Sequence, residues 1–362
     1  MSLSPERQPA LLHQQKQLVP DCFFGPPAVV DRLEVLRSKR MAELIRDAFR
    51  TMRARLTQRL ASVALYSLTD VGSDLGTTSV PRHIAFVMDG NRRYADREGS
   101  QTIEGHVMGY DTLLDVLQYC LMLRVRTVSV YAFSIDNYTR SEEEVGSLMK
   151  LMEEKLCELE GEAERLRADG VKVRVLGDLS LAPRGVREAA RRVMEATAEN
   201  DACVLNVMFS YTASEELVRA GRMAARTAGP SAAEKRVAAP LLEVATTRHV
   251  DEYLYASEDV DLLIRTSGER RLSDFMLRQS RCCVLHFSER LWPEFGLVDF
   301  LEAMIAYRRQ AGVVREAREV LEWRKVESLA RLQRGGEPSK KQEGTRSPSS
   351  VLSVEDGVGE VE

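Results

Sequence analysis

Aromatic residues are scarce in this 362-residue sequence: Phe, Trp and Tyr together make up 6% of it, and only two residues are Trp. A site built from stacked aromatic platforms would have to draw on Tyr and Phe. Net charge is nearly absent too, 51 Lys and Arg standing against 55 Asp and Glu for a sum of −4. That balance lacks the basic excess of a general nucleic-acid binder, and no nucleic-acid partner is expected. No apolar run approaches the roughly 20 residues that a membrane-spanning helix needs. The opening MSLSPERQPALLHQQKQ also lacks the apolar core of a signal peptide, so the chain is expected on the cytosolic side of any membrane. The six cysteines (Cys22, Cys120, Cys157, Cys203, Cys282 and Cys283) form no CxxC pair and no zinc spacing, which points to buried free thiols.

What is present describes a soluble globular protein, 44% hydrophobic and 29% charged, long enough for one large α/β domain with appendages. Residues 1–30 carry Pro5, Pro9, Pro20, Pro26 and Pro27 without periodicity and read as a flexible leader. Over 31–60 apolar residues recur at helical spacing among nine bases and four acids, and a linker reaches residue 79. This basic amphipathic helix is either a solvated helix packed on the main domain or one lying on an anionic membrane surface. Residues 80–310 alternate short β-rich runs with helical stretches, the pattern of a mostly parallel α/β sheet. Six strands are expected at 83–88, 126–133, 172–176, 204–209, 260–264 and 284–287. Helices are expected at about 104–123, 141–169, 184–199, 213–227 and 240–255. A charged helix continues over 311–334, and the composition of 335–362 is that of a disordered tail.

Three polar clusters follow apolar strands, at the edge where open parallel sheets place their ligands. The first, Met88-Asp89-Gly90-Asn91-Arg92-Arg93-Tyr94, comes after HIAFV and ahead of Gly105 and His106. A carboxylate, a glycine that permits close backbone approach, an amide and two guanidiniums suit a Mg²⁺-neutralised diphosphate. The competing reading is an Asp-Gly-Asn turn with solvated arginines. The second cluster, Ser134 to Arg140, includes Asn137 and precedes a helix opened by a Ser141/Glu144 capping box. Arg140 therefore sits beside a helix N-terminus, where the potential already favours anions. The third follows VDLLI, where Arg265, Arg271 and Ser273 flank a turn at Gly268 and could close around a second phosphate, guanidinium forks matching phosphate oxygens bidentately.

The blocks HIAFVMDGNRRYA, Gly105-His106, YAFSIDNYTRSEEEV, RVLGDLS, LNVMFSYTA, DLLIRTSGERRLSDFMLRQ and LWPEF, in that order, resemble those of the cis-prenyltransferases, the undecaprenyl and dehydrodolichyl diphosphate synthases. The likeness covers about Val80 to Arg309 and is nearest to the eukaryotic dehydrodolichyl diphosphate synthase catalytic subunit. Tyr94 and Tyr138, where many bacterial members have Trp, agree with that branch.

The resemblance implies a single-domain fold with a six-stranded sheet flanked by helices and an apolar product tunnel. Leu113, Leu117, Leu121, Ala132 and Phe133 are candidate tunnel walls and equally ordinary core. It implies a transferase that condenses isopentenyl diphosphate repeatedly onto farnesyl diphosphate with cis double bonds, giving a polyprenyl diphosphate for dolichol synthesis and protein glycosylation. Asp89 would bind Mg²⁺ and act in catalysis with Asn137. Gly90, Asn91, Arg92, Arg93, His106 and Arg140 would hold the allylic diphosphate, and Arg265, Arg271 and Ser273 the isopentenyl diphosphate. The eukaryotic type further implies a Nogo-B-receptor-like accessory subunit and a peripheral place on the cytosolic face of the endoplasmic reticulum membrane. Accessory subunits end in an RxG motif, and Glu355 to Glu360 here include no Arg.

Three positions depart from the family. Thr102 stands where many members place an Arg, a loss that a neighbour such as Arg97 could replace. Val284 stands at a bacterial Mg²⁺-binding Glu, and Met276-Leu277-Arg278 replaces LLW. A trans-type synthase would need DDxxD and a dinucleotide-binding enzyme GxGxxG after the first strand, and neither occurs. A non-catalytic scaffold subunit is the remaining alternative, although it would be expected to lose the Asp and Arg set.

Overall fold

The computed structural model describes residues 80–227 and 250–333. The expected leader, the basic helix and its linker, most of the helix expected at 240–255 and the tail lie outside the described residues.

Six strands form one wholly parallel sheet: β1 (His83–Val87), β2 (Thr127–Ser134), β3 (Val171–Leu176), β4 (Cys203–Tyr211), β5 (Leu262–Arg265) and β6 (Val284–Phe287). Their order is β3-β4-β2-β1-β5-β6. Strand order therefore reverses at β1, where parallel sheets open a crevice beyond their carboxyl ends. Both faces of the sheet are covered, which explains the near-continuous apolar runs in β1 and β5. Alternation along β1 sends Ile84 and Phe86 into one core, and Ala85 and Val87 into the other. At Ala132 the pairing of β2 with β4 slips by one residue, Tyr131 opposing Met208 and Phe133 opposing Phe209. This bulge turns Tyr131 and Phe133, two residues apart, toward opposite faces.

The helices in chain order are α1 (Asn91–Glu98), α2 (Thr102–Met122), α3 (Glu142–Gly161), α4 (Ala163–Ala168), α5 (Arg184–Ala196), α6 (Ala213–Thr227) and α7 (Leu297–Gln333). In α5, Val186, Ala189, Ala190 and Val193 face the core at helical spacing, while the outward Arg184–Glu188 and Arg191–Glu195 pairs sit one turn apart. The helix expected over 141–169 is two helices, with a break at Glu162. The positive-φ Gly170 follows, and Pro183 caps α5. Residues 91–98 are helical, so Asn91 opens a helix where the competing reading made it the end of an Asp-Gly-Asn turn. Helix α7 runs unbroken across residue 310, so the charged helix expected from 311 continues the last helix of the domain. Among the described cysteines, Cys120 and Cys203 are buried free thiols as expected, whereas Cys157 is exposed.

Candidate active site

At the end of β1 the chain turns through Gly90, whose φ of +109° is open only to glycine without strain. A Cβ there would lie 2.9 Å from Leu291 Cδ2. Gly90 caps α1 without a side-chain bond and no acid occupies the first turn, so the α1 N-terminus presents unpaired N–H groups and positive potential. Helix α2 crosses α1 at Gly105 and Gly109, where added Cβ atoms would meet Asn91 O at 2.2 Å and Asn91 Oδ1 at 2.4 Å. The Asn91 amide donates to Met88 O at 3.3 Å, and its buried Oδ1 has no partner.

Asp89 lies between the two expected phosphate pockets. Arg265 Nη2 donates to its Oδ2 at 3.0 Å, and Arg93 Nη2 stands 3.5 Å from its Oδ1. Burial alone would raise the Asp89 pKa, but the Arg265 hydrogen bond and charge, with Arg93, outweigh it and hold the carboxyl below its ordinary 3.8. The backbone of Asp89 is fixed as well, its N–H donating to Thr266 Oγ1 at 3.0 Å and its carbonyl accepting from Thr266 Oγ1 at 2.7 Å and Trp292 N at 3.0 Å.

At the end of β2 the capping chemistry differs from expectation. The reciprocal capping box belongs to Ser134 and Asn137, which open the short 3₁₀ turn Ile135–Thr139. Asn137 Oδ1 accepts from Ser134 N at 3.1 Å, which fixes the side chain. Ser141 does accept from Glu144 N at 3.3 Å, but the Glu144 carboxylate binds Arg140 Nη1 at 2.8 Å and stands 3.9 Å from Arg92. His106 faces the same group. Burial, with Arg140 and Arg92 nearby, pushes its pKa down to about 4, so the ring is neutral at physiological pH, and Nε2 is buried without a partner.

Beyond β5, Arg265 is almost wholly buried and gives Nη1 to Ser273 Oγ at 2.6 Å and to the Arg271 carbonyl. Arg271 pairs with Glu269, which also stands 3.8 Å from Arg93. Arg93 Nη2 donates to Ser267 Oγ at 2.6 Å, tying α1 to the turn after β5.

All eleven residues expected to bind the two diphosphates or act in catalysis line one cavity of about 790 Å³: Asp89, Gly90, Asn91, Arg92, Arg93, His106, Asn137, Arg140, Arg265, Arg271 and Ser273. The same cavity is lined by an apolar set that includes Leu113, Leu117, Met152, Leu156, Val207 and Phe209. A polar, arginine-rich mouth thus opens into apolar space, a pocket matched to a molecule with an anionic head and a hydrocarbon chain.

Residues 87–313 match the prenyltransferase family model described as "Putative undecaprenyl diphosphate synthase". The chain belongs to the cis-prenyltransferase family. A dehydrodolichyl diphosphate synthase complex subunit of Mus musculus is 41% identical over 257 residues, covering 70% of this chain and 75% of that protein. A dehydrodolichyl diphosphate synthase of Solanum lycopersicum is 37% identical over 261 residues, covering 68% and 88%. Among solved structures, lavandulyl diphosphate synthase from Lavandula x intermedia, in complex with dimethylallyl diphosphate, is similar at a TM-score of 0.56 and 25% identity, covering 64% of this chain and 97% of that one.

Several residues of this cis-prenyltransferase site escaped the sequence reading. Glu144 and Glu269 each balance two arginines, and Thr266 and Trp292 fix the Asp89 backbone. Glu144 was visible only as a cap, and nothing local to Trp292 pairs it with residue 89. The departures also find their places. Arg97 does not compensate for Thr102: it lies outside the cavity lining, paired with Glu294 at 2.8 Å and Glu98 at 3.2 Å and resting over Tyr94. Val284 is buried core at the start of β6. Arg278 forms a two-point pair with Asp251, at 2.8 and 2.6 Å, away from the cavity. Of the candidate tunnel walls, Leu121 packs on the core outside the cavity lining.

Proposed function

We propose that the chain condenses isopentenyl diphosphate repeatedly onto an allylic diphosphate such as farnesyl diphosphate, forming cis double bonds and a long polyprenyl diphosphate for dolichol synthesis. The carrying observation is the single cavity whose mouth holds five arginines around Asp89 and whose interior is apolar. Gly90, Asn91, Arg92, Arg93, His106 and Arg140 hold the allylic diphosphate at the α1 N-terminus. Arg265, Arg271 and Ser273 hold the isopentenyl diphosphate. Leaving diphosphate gains negative charge as the allylic C–O bond breaks, and preplaced guanidiniums stabilise that state more than the ground state.

Among the described residues no group of three His, Cys, Asp or Glu converges on a point, so an all-protein cation cage is not available there. One ionised carboxylate beside two diphosphate positions does fit Mg²⁺, which commonly binds through one or two carboxylates and substrate phosphates. Asp89 would hold it, and when bound it would neutralise charge on the diphosphate. An Asp89 carboxyl held below its usual range is a weak base, and Asn137 Oδ1 is engaged by the backbone. The departing diphosphate is then the group suited to accept the proton from the isopentenyl unit. Asn137, fixed beside it, orients the reacting carbons.

The apolar interior receives the growing chain, and the basic segment 31–60 delivers it to the cytosolic face of the endoplasmic reticulum membrane. A Nogo-B-receptor-like subunit completes the active enzyme. That the mouse relative is named a complex subunit supports this part of the reading. Incubation with farnesyl diphosphate, labelled isopentenyl diphosphate and Mg²⁺, with and without such a subunit, tests it by product length. Long polyprenyl product is expected with the subunit; no incorporation in either arm would leave the scaffold alternative.

A further inference from the structure

The scarce aromatic residues are gathered rather than scattered. Tyr131 stacks on Phe275 with ring centres 4.5 Å apart at 16°, and Tyr211 meets both rings edge-on at 6.1 Å. This cluster lies against residues 271–276, which carry Arg271 and Ser273 of the cavity mouth. Ser273, Asp274 and Met276 hold φ values of 50°, 55° and 47°. Three residues with side chains in the left-handed region within four positions persist only where the surroundings over-determine them.

The fastenings of this segment are visible. Asp274 accepts from Ala213 N at 2.7 Å through its carbonyl and from Ser214 N at 3.2 Å through its carboxylate, while Phe275 and Met276 are fully buried. Ser273 is held from below by Arg265. On the cavity side, the Tyr131 hydroxyl lies 3.1 Å from the Tyr211 carbonyl and 3.4 Å from the Ser273 carbonyl, sharing its proton between them. Burial pushes the Tyr131 pKa up to about 12, which keeps that hydroxyl a donor. Alternation along β2, with Val128 and Val130 in the opposite core, places Tyr131 on this face in register with Met208, and the bulge at Ala132 then sends Phe133 to the other face.

We propose that Tyr131 is a positioning residue for the isopentenyl diphosphate subsite, its ring and hydroxyl holding the 271–276 segment so that Arg271 and Ser273 face the second diphosphate. The inference rests on the reading that Arg265, Arg271 and Ser273 bind isopentenyl diphosphate. Tyr131→Phe removes one oxygen and leaves the stacking ring. KM for isopentenyl diphosphate should rise about three- to tenfold, the effect of losing one neutral hydrogen bond, with kcat and the allylic KM changed less than twofold. Amide hydrogen exchange in the ligand-free full chain should accelerate across 271–276 and stay unchanged across 87–98. Phe275→Leu, which loosens the stack from the other side, should raise the same KM.

An isopentenyl diphosphate KM unchanged by Tyr131→Phe overturns the proposal. So does a raised KM without faster exchange, because Tyr131 would then touch the substrate rather than hold the segment. An equal rise in both KM values overturns it too. Absence of condensation by the wild-type chain with its accessory subunit would instead overturn the underlying assignment.

Discussion

Asp89 is subject to opposed forces: partial burial favours its neutral form, and two guanidiniums favour the charged one and prevail. Asp89→Ala should abolish labelled isopentenyl diphosphate incorporation while circular dichroism stays native, because its backbone anchors to Thr266 and Trp292 survive the change. Near-normal turnover in Mg²⁺ would refute its role. The histidines give a pH signature of determinate sign. His83 and His106 both fall from an ordinary 6.5 to about 4 through burial. Between those values the unfolded chain binds protons that the folded one does not, so the histidine contribution to stability should be lost as pH falls from about 6.5 toward 4 and change no further below. Thermal melting across that range checks the slope, and His106→Gln should flatten part of it. At this scale the sequence was informative about residue type and poor about pairing. Arg93, Arg140 and Arg265 were identifiable, whereas the Glu144 carboxylate that holds Arg140 looked like a helix cap.

Among the elements, the crossing of α1 and α2 is the most constrained by size. Gly105→Ala would set a Cβ 2.2 Å from Asn91 O, so α1 must shift. Lower thermal stability and a raised allylic KM are expected together, whereas Gly161→Ala, with open space around it, should be neutral or stabilising. Helix α7 is fastened to the far edge of the sheet by Arg318, which binds Asp261 Oδ1 at 2.5 Å, Val260 O at 2.6 Å and Cys282 O at 3.1 Å. Asp261 in turn accepts from the Arg82 and His83 N–H groups. Arg318→Ala leaves that nearly buried carboxylate without its cation and should cost about 2–4 kcal/mol in urea unfolding, the Arg being partly exposed. Strand positions were legible because a sheet covered on both faces writes continuous apolar runs. Helix α1 was not, because Asp-Gly-Asn is equally good turn chemistry and only the tertiary contacts of Gly90 and Asn91 select the helix.

For the whole molecule, the proposed function houses the growing chain in the apolar part of the cavity, whose volume would then limit its length. Filling it with Leu117→Trp should shorten the product distribution read by thin-layer chromatography, and an unchanged distribution would place the growing chain elsewhere. No helix among the described residues is long and apolar enough to cross a membrane, and the proposed function assigns membrane delivery to the basic segment 31–60. Liposome flotation with and without that segment decides the point, and identical binding would defeat it. The sequence by itself determined the α/β class, the six strands, the family and every arginine of the mouth, because these rest on local periodicity and on motifs that each lie within one strand end. Only the tertiary structure decided that the three clusters share one cavity, with Arg265 on Asp89 across 176 positions of sequence. It alone also decided that Tyr131 meets the 271–276 segment while a one-residue slip just beyond it sends Phe133 to the opposite face. Register and charge pairing are properties of strands laid side by side, and no single stretch of sequence contains them.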